Sequence, residues 1–494
     1  MTNSAPMTSL TSSATIPAAN PSPSSWELAR VAIERAVSTD SKTILVLTFN
    51  APSGDPLGWL AHHQGVPSVY WRARDGWEYA GLGAVHVIAG QGQDSLRTAA
   101  NAASDFVRDR MVFESSPQAR KPRFFGGFSF DPGNPDRGPW PYGGFGDAVL
   151  VLPEAVYARR DTQSYLFFSF EVTPRSTPES LVDRLALLNE IYWHGFDCPS
   201  RVTSIELHNG HADGESEHSQ WIAHTGSILR DFEGSDLQKV VLARSQRLAI
   251  GAETSSTLNP WPLVAALRDF DPACYQFGFQ FSDRYAFVGA SPERLFRLTG
   301  RKLESEAVAG TIARGHDEPA DRELAERLIA SAKDQLEHRH VVDAVQAGLA
   351  QLSTDITATT ETKFDVTRLR TLQHLRSVMS VDVRSEITVG DVLATLHPTP
   401  AVAGVPRVRA LEAIRAHEID ARGWYGGPVG WVGGDAAEFA VGIRSALMNS
   451  NSVRLYAGAG LVPGSVPEDE WHEIEDKLQA FRSAVSSPRP TPQT

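Results

Sequence analysis

The chain has 494 residues, of which 41% are apolar and 21% charged, and 59 acidic against 46 basic side chains give a net charge of −13. This length holds two or three units with sizeable cores, and the composition excludes a fibrous or wholly disordered protein. The acidic balance, with no Lys/Arg cluster interleaved with aromatics, excludes nucleic acid as a partner, so an anionic substrate must be met by locally gathered cations, a divalent metal among them.

Residues 1–25 are rich in Ser, Thr, Ala and Pro, and Arg30 is the first basic side chain. They match neither a secretory signal nor an Arg-rich transit peptide and are expected to form a disordered tail, with Met7 a second start codon position. No apolar run reaches the roughly 18 residues of a membrane span, so a cytoplasmic location without a membrane partner is expected. The two cysteines, Cys198 and Cys274, are far apart in sequence, which excludes a disulfide framework or zinc site and predicts two buried small hydrophobes.

Apolar periodicity predicts a helix over 26–37, then short strands over 43–49, 68–72 and 85–89 and a helix over 95–110. Strands follow over 123–130, 148–152 and 164–172, separated by Gly and Asp. Residues 178–225 turn helical, and 206–217, with Asn-Gly and Asp-Gly steps, read as a surface loop. A soft boundary near 215 divides a sheet-rich part, 26–215, from a second region, 216–486. In that region strands are predicted over 239–250, 275–281, 285–288, 294–298, 439–448 and 453–459. A long helix is predicted over 318–352 and another over 467–485, and the Pro-rich stretch 487–494 is a tail. Mixed rather than alternating strands and helices indicate an α+β fold with large, mostly antiparallel sheets.

Two acidic pairs stand at i,i+3 spacing on predicted helices, Asp334 with Glu337 and Glu470 with Glu473, so each pair shares a helix face. Such pairs mark a solvated face or, where two faces meet, a four-carboxylate site whose hard oxygens suit Mg²⁺. Lys477, one turn after Glu473, is either a surface i,i+4 partner or a cation for a substrate carboxylate. Lys239 opens the apolar run KVVLAR at the mouth of a strand. In such a place a lysine is usually exposed, but in a closed, partly dry site it takes a proton from water. Glu293 ends the turn GASPE, where a desolvated carboxyl stays protonated. The segments AGT (309–311) and GAG (458–460) follow strand-like residues and allow backbone N–H groups close to an anion. Arg444, placed mid-strand in GIRSAL, needs a partner if buried, and a substrate carboxylate is one.

Taken in order, KVVLAR at 239, GASPERL at 289, AGT at 309, SAKDQLEH at 331, HPTPAVAG at 397, GWYGGPVGW at 423, GIRSAL at 442, AGAGLVPGS at 457 and EWHEIEDKL at 470 resemble the chorismate-utilising enzyme family over about 250 residues. Within it the wording is most similar to the isochorismate synthases, and RFFGGFSFDP at 123 resembles the N-terminal region of their longer bacterial, menaquinone-type members. The resemblance implies one interleaved α+β unit, two large sheets packed face to face with helices outside, in which the boundary near 215 has no structural meaning.

It further implies a magnesium-dependent isomerase that adds water at C2 of chorismate and expels the C4 hydroxyl, for menaquinone or siderophore synthesis. Lys239 matches the general base and Glu293 the general acid. Glu337 and Glu473 match the Mg²⁺ ligands, with Asp334 and Glu470 supporting them. Gly310, Thr311, Arg444, Gly458 and Lys477 match residues that hold the substrate. Lys239 and the HPTPAVAG wording separate the chain from the ammonia-using relatives, so no glutaminase subunit is expected. Salicylate synthases share the lysine but usually carry threonine near Ala401. The small departures, Ala332 and Val402, touch neither proposed catalytic group. The alternatives are a salicylate synthase on the same fold and a non-catalytic chorismate-binding paralogue.

Overall fold

The structure is a computed structural model that describes residues 21–39, 42–114, 121–134, 145–198, 207–209, 214–251, 258–354, 360–361 and 365–486. Residues 1–20 of the tail expected over 1–25, with Met7, the tail 487–494 and part of the loop at 206–217 lie outside the described residues, whereas Pro23–Ser25 of that expected tail are helical. Within that loop the chain forms the short strand Leu207–Asn209, and the helix Gly214–Gly234 begins.

The first helix starts at Pro23, three residues before the predicted onset, because Ser22 caps it by accepting from the Ser25 N–H and proline suits the first turn. The predicted strands 68–72, 148–152 and 239–250 form with those bounds. Several elements run against the reading of the sequence, among them the strands Glu78–Leu82, Leu372–Asp382 and Pro428–Val432, which it did not foresee. The long helix expected over 318–352 is two helices, Glu318–Ala330 and Ala332–Leu352. Ser331 separates them with ψ 115°, closing the first and capping the second by accepting from the Asp334 N–H. The strand expected over 439–448 is likewise two, Ala436–Val441 and Ser445–Met448, interrupted by Arg444 at φ 48°. The strand Lys302–Ala313 was not foreseen, although it is one of the longest in the molecule.

The described strands form two sheets. At one end of the first, Lys239–Ile250 pairs with Ser452–Leu461, and the sheet continues through Ser445–Met448, Ala286–Ser291 and Tyr275–Gln280 to Ser68–Arg72 and the strands beyond it. The second runs from Leu372–Asp382 through Lys302–Ala313, Arg294–Thr299, Ala436–Val441 and Pro428–Val432 to Phe124–Phe128. Among the described residues every strand pairing is antiparallel except that of Thr43–Asn50 with Met111–Glu114. Strands from both sides of residue 215 pair in each sheet, as Phe277 with Trp71 and Trp431 with Phe125 show.

The sheets pack face to face over one continuous apolar core. Buried polar groups also join them, since the Tyr275 hydroxyl of the first donates to Glu438 of the second at 3.1 Å. Cys274 is buried as expected, but Cys198 is only half-buried, its thiol 3.4 Å from His62 Nδ1. Among the described residues no helix is long and apolar enough to cross a membrane.

Candidate active site

Two crossovers between the sheets build the centre of the site. Residues 291–294 carry the chain from Ala286–Ser291 in the first sheet to Arg294–Thr299 in the second. Residues 441–445 return it from Ala436–Val441 to Ser445–Met448. The crossovers lie side by side: the Val441 N–H donates to the Glu293 carbonyl at 3.1 Å, and the Ala290 N–H donates to the Arg444 carbonyl at 3.1 Å. Glu293 and Arg444, 151 positions apart by the difference of their numbers, are thereby held on neighbouring turns. The left-handed backbone of Arg444 is costly for a non-glycine residue and is the kind of strain found at functional positions.

A cavity of about 890 Å³, counted with its mouth, opens against these turns. Glu293, Gly310, Thr311, Glu337, His374 and Arg444 are among its lining residues, as are Tyr425, Gly458, Glu473 and Lys477. Its lining mixes apolar and charged side chains, as small-molecule sites do. Lys239, Asp334 and Glu470 stand behind the lining.

Lys239 is completely buried, against the usual exposure of a lysine in such a place. Its Nζ lies 3.1 Å from Glu337 Oε1 without forming a hydrogen bond of good geometry. Gly460 permits this approach, because a Cβ there would stand 2.5 Å from Glu337 Oε1 and 3.3 Å from Lys239 Cε. Glu293 is also buried, and its Oε1 has no hydrogen-bond partner. Burial outweighs the opposing charge of Lys239 and pushes its carboxyl up to about 8, so it stays protonated at neutral pH.

Gly310 sits inside the strand Lys302–Ala313 rather than after it, at a register shift between Ala309 and Thr311 with φ 77°. Gly458 likewise lies within Ser452–Leu461, and its carbonyl accepts from Lys477 Nζ at 2.8 Å. Lys477 also bonds Glu473 at 2.6 Å, so the i,i+4 pair forms but faces the cavity.

Sequence reasoning missed His374. It is a buried residue of the strand Leu372–Asp382, and nothing in the surrounding LQHLRSV distinguishes it from a core position. Arg444 Nη2 lies 2.8 Å from His374 Nε2. A guanidinium only donates, so Nε2 must accept and Nδ1 carries the proton, placed 3.1 Å from the Thr311 hydroxyl and 3.3 Å from the Gly310 carbonyl. Burial, with Arg444 and Lys477 nearby, holds His374 well below the ordinary histidine range and keeps it neutral.

The two acidic helix faces meet at the cavity edge. The helix Ala332–Leu352 packs on the strand Lys302–Ala313 of the second sheet, and Pro467–Ser486 packs on Ser452–Leu461 of the first. Lys333 joins them by bonding Glu470 at 2.7 Å. Asp334 is raised by burial and by Glu337 beyond it, and Glu470 by burial and by Glu473. Glu337 is held low instead, because Lys239, Lys477 and Lys333 outweigh its burial. Among the described residues no three acidic, histidine or cysteine side chains are gathered closely enough to hold a metal as they stand. The donor set is nonetheless all carboxylate oxygen, Glu470 Oε2 is buried without a partner, and the crowded charge is what a hard cation relieves.

Comparison with known proteins gives a consistent picture. The family described as "Chorismate binding enzyme" matches residues 31–486. The isochorismate synthase MenF of Escherichia coli is 32% identical over 87% of this chain and 90% of its own length. The salicylate biosynthesis isochorismate synthase of Pseudomonas aeruginosa is 31% identical over 92% and 93%. Among solved structures, Escherichia coli MenF, described as a menaquinone-specific isochorismate synthase, superposes with a TM-score of 0.74 at 29% identity, covering 94% of this chain and all of that one. Anthranilate synthase component I from Streptococcus pneumoniae shares the fold, with a TM-score of 0.63 at 19% identity.

Proposed function

The chain belongs to the chorismate binding enzyme family, and on that premise we propose that it is an isomerase converting chorismate to isochorismate, with Lys239 as general base and Glu293 as general acid. The observation that carries the assignment is the pair itself. Two buried ionisable groups, neither with its hydrogen-bonding capacity met, flank the cavity wall that also carries Arg444 and Lys477: Glu293 is in the lining, and Lys239 lies behind it against Glu337. Buried polar groups left unmet are expensive, and a substrate that meets them explains why they persist.

Chorismate carries two carboxylates and an allylic hydroxyl at C4. Arg444, oriented by His374, and Lys477, oriented by Gly458 and Glu473, are cations suited to the carboxylates. The Thr311 hydroxyl and the backbone at Gly310 and Gly458 complete the cradle. As general base, Lys239 takes a proton from the water that attacks C2, both ring double bonds shift, and protonated Glu293 gives its proton to the departing C4 hydroxyl. Glu293 reaches neutral pH with that proton because burial withholds ionisation. Reversal exchanges the two roles.

Glu337 and Glu473 would hold Mg²⁺, with Asp334 and Glu470 in support. When bound, the ion supplies positive charge for a substrate carboxylate beside the rearranging ring. Water as nucleophile requires no ammonia-generating subunit. The similarity to a menaquinone-specific enzyme favours that destination for the product over a siderophore. Incubating the protein with chorismate and Mg²⁺ tests the reading: isochorismate is the expected product, and its absence would overturn it. Release of pyruvate without a second enzyme would identify a salicylate synthase instead.

A further inference from the structure

The turn of residues 73–77 joins the strands Ser68–Arg72 and Glu78–Leu82, more than 160 positions before the acid–base pair (239 − 77 = 162). The turn closes on itself, with the Ala73 N–H donating to the Trp77 carbonyl at 3.0 Å. It carries Arg74 across to the crossover that holds Glu293. Arg74 Nη2 donates to the carbonyl of Pro292, the residue immediately before the proposed acid. Its Nη1 reaches both carboxylate oxygens of Glu306, at 3.0 and 2.9 Å, and the guanidinium lies 4.8 Å from the centre of the Tyr275 ring.

Glu306 is fully buried on the strand Lys302–Ala313. Arg376 bonds it at 2.7 Å, and Arg294 lies 3.6 Å away. A buried carboxylate held by three arginines is more than packing requires, and its place next to Glu293 gives it an effect on the acid. The groups that face Glu293 are Lys239 from the first sheet, Glu306 from the second, Arg74 from the turn, and Thr399 after the helix Val389–Leu396. Arg444 stands on the adjoining crossover. Arg74 therefore acts on Glu293 in three ways: it grips the preceding carbonyl, opposes a negative charge directly, and cancels much of the field of Glu306.

We propose that Arg74 is a positioning residue for the reaction, fixing the Pro292–Glu293 turn and setting how readily Glu293 releases its proton. The inference rests on Glu293 being the acid, as assigned above. An arginine that only braced the fold would hold the turn without influencing the acid's titration.

The test is the pH dependence of kcat/KM for the full chain and for Arg74→Gln, Arg74→Lys and Glu293→Gln, with folding followed by circular dichroism. Arg74→Gln is expected to shift the loss of activity at high pH upward by about one unit, because Glu306 is then less compensated and the proton is held harder. It should lower kcat roughly tenfold while KM moves less than about threefold, since the cations that bind substrate are untouched. Arg74→Lys keeps the charge but not the planar fork, so the limb should stay near that of the parent while kcat falls. The position of a pH limb does not depend on how much protein is active, so partial misfolding cannot mimic the shift. If Arg74→Gln yields no folded protein, Arg74→Lys decides, and a parental kcat there overturns the proposal. A folded Arg74→Gln with an unmoved limb also overturns it. A parent that makes no isochorismate, or a Glu293→Gln that keeps full turnover, overturns the functional reading and this inference with it.

Discussion

His374 accepts a hydrogen bond from Arg444 at 2.8 Å, and that one contact dictates the tautomer of the histidine and the direction of the guanidinium. His374→Phe keeps the shape of the ring but offers no acceptor, leaving Arg444 free to turn. We expect KM for chorismate to rise about tenfold, the equivalent of one hydrogen bond to a charged group, with a smaller change in kcat. Steady-state kinetics on the two proteins gives the answer, and an unchanged KM would remove His374 from the binding apparatus.

Glu293 gives a prediction about stability as well as rate. Its folded carboxyl titrates at about 8 because of burial, against an ordinary value near 4.3 in the unfolded chain. Between those values the folded state binds the extra proton, so stability must fall as pH rises through this window. Glu293→Gln removes the titration. The variant should lose turnover by roughly 10²- to 10⁴-fold. It should also become progressively more stable than the parent from pH 5 to pH 8, by an amount on the order of 1 kcal/mol for each unit. Denaturant titrations at three pH values would show the gap, and parallel curves would contradict the assigned burial effect.

Lys239→Ala removes the proposed base and the partner of Glu337. Turnover should drop by about 10²- to 10⁴-fold. Chorismate binding, measured by calorimetry, should persist because Arg444 and Lys477 remain. Near-parental turnover would sink the mechanism without touching the fold.

Gly460→Ala is a geometric test. The added methyl would stand 2.5 Å from Glu337 Oε1, the mobile end of a side chain, so the carboxylate must swing away from Lys239. Stability should change by only about 1 kcal/mol, whereas turnover should fall at least roughly tenfold. A fully active Gly460→Ala would show that the Lys239–Glu337 placement is dispensable.

Magnesium should be required and should stabilise the protein. At a concentration about 100 times the dissociation constant, ligand binding adds roughly 2.7 kcal/mol to unfolding. Glu337→Gln and Glu473→Gln should each abolish that thermal shift, read without substrate. Equal shifts in parent and variants would place the ion elsewhere.

Part of this molecule was legible in its residues. The i,i+3 spacing placed Asp334 with Glu337 and Glu470 with Glu473 on shared helix faces, because helical geometry is local. The alternating apolar runs located most strands for the same reason. The resemblance supplied roles that no single position would have suggested: alone, Lys239 reads as an exposed strand-end lysine and Glu293 as a turn residue. The strand Lys302–Ala313 escaped notice because Glu304 and Glu306 break its apolar pattern, and Glu306 is buried among arginines from three other segments, Arg74, Arg294 and Arg376.

The sequence by itself therefore determined the amphipathic elements, the two acidic helix faces and the membership of the family, all of which depend on spacing or wording along the chain. Tertiary structure alone decided that Lys239 and Glu293 are buried, that Arg444 breaks a strand to meet His374, and that a turn near residue 74 reaches the turn holding Glu293. The reason is physical: burial and charge pairing are set by which strands become neighbours, and the two inter-sheet crossovers join parts of the chain that no local periodicity relates.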